Sequence, residues 1–169
     1  MTARIRLPFR AVNRSRTANY DPGLQRHHLL PRALLRCDCF AALFDSIDPQ
    51  RLGFDDFRRN GLLLPGSEQA ALRFGLPLHR GPHHRYNRLV CERIGQVEAR
   101  WSARRRLAPG PASDEAAMRL AFVQGALRRR LLDPVRPAGW LNRRDPLRLG
   151  CDFADLDAMA DALWPATEP

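Results

Sequence analysis

The chain has 169 residues and a formal net charge of +10, and every one of its 28 basic residues is Arg. This length predicts one domain with an ample apolar core. No apolar run approaches the roughly 18 residues of a membrane span, and the Arg-rich start lacks the apolar stretch of a secretory signal, so a soluble, cytoplasmic protein is expected. Guanidinium forks pair bidentately with phosphate and keep their charge, which makes a polyanion such as nucleic acid the expected partner.

In chain order, residues 1–23 are polar and basic and predict an arm ending in a turn at Asp21-Pro22-Gly23. Leu24 to Leu30 predicts a short strand. Pro31 suits the first turn of a helix, and Leu34, Leu35, Phe40, Leu43 and Phe44 continue at helical spacing to Asp45. Asn60-Gly61 is a strong turn signal opening a second strand at Leu62 to Leu64, which Pro65-Gly66 ends. A brief helix is predicted from Ser67 to Phe74 and stopped by Gly75. Leu76 to His79 is extended, because Pro77 excludes its predecessor from the helical region.

Gly81-Pro82 predicts the start of a long helix to about Arg106, with Val90, Ile94, Val97 and Trp101 as its buried stripe. His83 would share a face there with Tyr86 and Asn87. After a linker at Ala108-Pro109-Gly110-Pro111, Ser113-Asp114-Glu115 predicts another helix that buries Leu120, Val123, Leu127 and Leu131. A Pro- and Arg-rich segment from Asp133 to Gly150 precedes a last acidic helix, about Asp152 to Trp164. The fold class is therefore α+β and mainly α: a small core of two short strands and a helix, with further helices packed on it. Residues 24–107 form the core, and 108–169 a helical C-terminal extension. Cys37, Cys39, Cys91 and Cys151 lack paired zinc-ligand spacing and are expected to be buried free thiols.

All five histidines fall within one short window: His27, His28, His79, His83 and His84. Imidazole both ligates transition metals and exchanges protons near neutral pH. A strand-borne His-His, a second strand opened by Asn-Gly, and a helix whose first turn carries a His follow the order of a ββα-metal unit. There, imidazoles converge on one divalent ion beside a scissile phosphate. Phosphodiester hydrolysis needs an activated water, a cation to neutralise the pentacovalent charge, and help for the leaving oxygen. A neutral imidazole is a competent base for that water.

The combination of His27-His28 before Leu-Leu-Pro, Asn60-Gly61 before a leucine run and Pro65, and His79-x-Gly81-x-His83-x-x-Tyr86-Asn87 resembles the AHH nucleases of the HNH/endonuclease VII (His-Me finger) superfamily, over roughly residues 24–100. The resemblance implies a metal-dependent endonuclease with one divalent ion, whether Mg, Mn, Ni or Zn. His27 and His83 would be metal ligands, with His79 a ligand or phosphate contact. His28 would be the general base, and Asn60 would brace the loop that orients it. Arg80, Arg85 and Tyr86 would contact substrate phosphate, while His84 stands outside the motif. Arg26 replaces the small residue that usually precedes the His pair in the family.

Such modules are often toxins delivered as effectors and held by an inhibitor protein. Here the motif begins early and a long segment follows it, so a free-standing nuclease fits as well. Two other functions stay open. One is a nucleic-acid-binding module without turnover, the other a protein whose histidines hold a purely structural ion.

Overall fold

A computed structural model describes residues 6–81, 83–133, 141, 142 and 145. Its centre is a two-stranded antiparallel sheet, β1 (Leu24–His28) on β2 (Gly61–Pro65), with Leu24 opposite Pro65 and His28 opposite Gly61. No tight turn joins the strands. Between them run a 3-10 turn at Arg32–Arg36 and three helices: α1 (Asp38–Ser46), α2 (Pro49–Leu52) and α3 (Phe57–Asn60). The fold is α+β and mainly helical.

The Asn60-Gly61 pair corrects a prediction, because Gly61 has φ −110 in extended backbone and Asn60 closes α3. The glycine is required by a close approach rather than by a turn. A Cβ at position 61 would lie 2.2 Å from the ring of Phe57.

The predicted helix from Pro31 to Asp45 is broken at Cys37, whose extended backbone separates the 3-10 turn from α1. The change of period turns Leu35 outward while Leu34, Phe40, Leu43 and Phe44 stay buried.

The next helix, α4 (Glu68–Phe74), carries its predicted punctuation. The Ser67 side chain accepts from the Ala70 N–H, and Gly75 ends the helix in the left-handed region at φ 63. The long α5 (His84–Arg104) buries the expected Val90, Ile94, Val97 and Trp101, with Tyr86 added. His83 is its N-cap residue rather than part of its first turn. Pro82, expected to open this helix, lies outside the described residues.

The last described helix, α6 (Pro109–Leu132), starts earlier than predicted. Proline is well placed in a helix's first turn, where its missing N–H is an orphan anyway, so the supposed linker is helical. Its buried face runs Leu120, Gln124, Leu127, Leu131, with Val123 only half-buried. The predicted helix at 152–164 lies outside the described residues.

The N-terminal segment is tied to the core. Pro8 bridges Asp56, the Phe57 N–H donates to the Leu7 carbonyl at 2.7 Å, and Phe9–Ala11 forms a 3-10 turn. The thiols are less buried than expected: Cys37 is half-buried while Cys39 and Cys91 are exposed, and Cys151 lies outside the described residues. Among the described residues no helix is long and apolar enough to cross a membrane.

Candidate metal centre

Side chains alternate along β1, so the neighbours His27 and His28 leave the strand on opposite faces. His27 turns inward and is 4% exposed. Its ring meets His79 at 4.8 Å between centroids, Tyr86 at 4.9 Å and His83 at 5.9 Å. The rings of His79 and His83 lie 4.6 Å apart. One ligand nitrogen from each of His27, His79 and His83 falls within 4.8 Å of the others. Among the described residues these three side chains alone meet that test for a metal-holding group.

Each imidazole is held by the local fold. The extended segment after Pro77 lies along the end of β2, where the His79 N–H donates to the Pro65 carbonyl at 2.7 Å. The His79 Nδ1 pairs with the Gln25 side-chain oxygen at 3.1 Å, and the His83 Nδ1 with the Leu141 carbonyl at 2.9 Å. An oxygen acceptor requires a proton on Nδ1, which leaves the lone pair on Nε2 for another partner. The Nε2 of His27 is buried and has no hydrogen-bond partner among the described residues. Leaving such a group unsatisfied costs about 1–3 kcal/mol, so an unmet lone pair beside two others fits a divalent ion.

The electrostatics also favour lone pairs. Burial lowers the His27 pKa to about 2, with His79, His83 and His28 adding repulsion. Burial and then His83 lower His79 to about 4. Both are neutral at physiological pH, which is the form that ligates metal.

His28 is not part of this cluster. Its ring stacks on Phe9 with centroids 3.7 Å apart and planes 3° from parallel. Its pKa is lowered, first by burial and then by Arg32, with Asp55 opposing and Arg26 adding to the decrease.

Asn60 is fully buried and fixes the backbone that follows the His pair. Its amide donates to the carbonyls of Leu30 (3.0 Å) and Phe54 (3.1 Å), while its oxygen accepts from the Leu30 N–H at 2.7 Å. Its own carbonyl accepts from the Leu29 N–H at 2.8 Å.

Tyr86 is fully buried, and its hydroxyl donates to the Leu29 carbonyl at 2.7 Å. Arg80 and Arg85 are exposed near the triad, His84 is exposed, and Asn87 faces outward rather than sharing the buried face of Tyr86.

Four contributors had no signal in the sequence. Gln25 supports His79, Phe9 covers His28, and Leu141 reaches His83 from a distant Arg-rich segment. Gln124 on α6 donates to the Asn60 oxygen at 3.2 Å and the Leu52 carbonyl at 3.3 Å.

The family model AHH, described as a nuclease family of the HNH/ENDO VII superfamily with conserved AHH, matches residues 9–110. The chain belongs to the AHH nuclease family. The match starts at Phe9, the residue stacked on His28, and spans the sheet, the triad and α5. Family membership brings nuclease function in general and nucleic acid as the class of substrate. At positions 26–28 this AHH nuclease reads Arg-His-His, and Arg26 is exposed, its guanidinium donating to the Phe9 carbonyl at 3.0 Å. No curated protein and no solved structure matches the chain.

Proposed function

We propose that this AHH nuclease is a metal-dependent endonuclease in which His27, His79 and His83 hold one divalent ion and His28 is the general base. The observation that carries the reading is the unpartnered, buried Nε2 of His27 within reach of two further imidazole nitrogens. When bound, the ion would supply Lewis-acid stabilisation of the phosphate and of the leaving oxygen. A set of three imidazoles suits Ni, Zn or Mn better than Mg, which prefers oxygen ligands.

The chain's own groups then divide the work. His28, held as neutral imidazole by burial and by Arg32, accepts the proton of the attacking water. Phe9 fixes the plane of that ring. Asn60 and Tyr86 hold Leu29 and Leu30, so the strand end that carries both histidines cannot shift. Exposed Arg80 and Arg85 pair with phosphate oxygens, and a cellular nuclease of this kind would be held by an inhibitor protein.

A plasmid and RNA cleavage assay across Mg, Mn, Ni and Zn, with wild type beside His28→Ala, tests the proposal. Cleavage by the wild type alone is expected. If wild type cuts nothing with any ion yet binds nucleic acid, the endonuclease reading fails, and if chelation unfolds the chain the ion is structural.

A further inference from the structure

On the His28 side of β1 there is a groove of about 690 Å³ walled by Arg6, Arg32, Arg58 and Arg59, with Asp55 and Asp56 between them. Phe9, whose ring stacks on His28 at 3.7 Å, meets the ring of Phe57 at 5.1 Å, and Phe57 directly follows Asp56 of the groove wall, so the groove adjoins that imidazole. The two acids have different duties. Asp56 accepts from the N–H groups of Leu7 at 3.3 Å and Arg58 at 3.1 Å, which spends its carboxylate on the N-terminus of α3.

Asp55 instead bridges two guanidinium groups, Arg6 at 3.0 Å and Arg32 at 4.0 Å. All three side chains are at least half exposed, so these pairs are weak and readily exchanged. Arg59 donates to the Arg51 carbonyl at 2.6 Å, and the side chains of Arg58 and Arg59 are both exposed.

We infer that this groove binds the phosphodiester backbone of the substrate strand beside the bond that is cut. Arg6, Arg32 and Arg58 pair its phosphates, and Asp55 keeps the place of a phosphate until the strand arrives. The position beside the cut bond rests on the endonuclease reading, whereas the binding itself does not. Four forked cations outnumber the two carboxylates in the lining, which Leu35, Gln50, Gly53 and Phe54 complete, and forked cations suit regularly spaced phosphates.

The test uses a fluorescein-labelled oligonucleotide, DNA and RNA separately, with the full chain carrying His28→Ala and a chelator so that nothing is cut. Added to this background, Arg32→Ala with Arg58→Ala should weaken binding about tenfold or more near 0.1 M salt and flatten the log K against log[salt] slope by about two. Arg93→Ala with Arg100→Ala on α5, outside the groove, should change affinity much less. Asp55→Asn should tighten binding more than Asp114→Asn, which removes an exposed carboxylate paired with Arg51 at 2.7 Å.

Loss no greater for the groove pair than for the α5 pair overturns the inference, as does unchanged binding, which would leave an acidic protein as the groove's partner. Cleavage is measured in parallel on chains with His28 intact. A chain that cuts normally without its groove arginines sinks the groove and keeps the nuclease, while a wild type that never cuts, beside groove variants that lose binding, keeps the groove and sinks the nuclease.

Discussion

His27 and His28 are joined by one peptide bond and occupy different surroundings. On the inner face of β1, His27 is packed among His79, His83 and Tyr86 with a nitrogen that has no hydrogen-bond partner among the described residues. On the outer face, His28 lies flat on Phe9 beside a charged groove. A metal ligand must give up its lone pair, and a base must keep it, so under the proposed roles the pleat of one strand would separate two uses of imidazole that compete.

The separation can be broken from either side. The largest effect is expected from His28→Ala, which should lower the cleavage rate by about 10²–10⁴-fold while metal affinity and melting temperature stay unchanged. Equal loss of metal binding in a Ni or Zn titration would show that the two faces are not independent. His27→Ala should abolish metal-induced stabilisation, worth about 2.7 kcal/mol at a metal concentration a hundredfold above Kd, as read by thermal melting. Without metal this variant should lose little, because it also removes an unmet polar atom.

Asn60→Ala strips partners from the buried Leu30 N–H and carbonyl and should cost about 2–4 kcal/mol in urea unfolding. A loss below about 1 kcal/mol would mean that the strand end is held by other means. Acid sharpens the contrast further. His27 and His79 sit at about 2 and about 4 in the folded chain, below the ordinary 6.5. Between these values the unfolded chain binds more protons, so the stability of the metal-free protein should be full above about pH 6.5 and fall as pH drops towards about 4. A melting series in chelator that is flat across this window would contradict the burial of the triad. The smallest effect is expected from Tyr86→Phe, about 1 kcal/mol by melting, since only the hydrogen bond to the Leu29 carbonyl is removed.

What the sequence disclosed was what neighbouring residues decide. Ser67 and Gly75 bound α4 by local chemistry, and the stripe from Val90 to Trp101 follows from period alone. The family resemblance named His27 and His83 as ligands and left His79 as ligand or phosphate contact, and these three imidazoles come within reach of one another. Contacts made over distance were illegible. Phe9 lay in a stretch that looked like a free arm, and Gln124 interrupted an apolar stripe as a polar residue whose buried partners sit on other elements. Asn60-Gly61 gave a true signal with the wrong mechanism, since the glycine answers the ring of Phe57 and the asparagine answers the backbone at Leu30. Pro109-Gly110 resembled a breaker because residue type does not reveal which turn of a helix it occupies.

The contact between Gln124 and Asn60 joins residues 64 positions apart. A ribosome-bound chain whose sixth helix has not yet emerged already carries every histidine of the triad, but the asparagine behind the histidine strand still lacks one of its supports. Full support of the site is thereby tied to synthesis of α6, which follows all of its histidines in the chain.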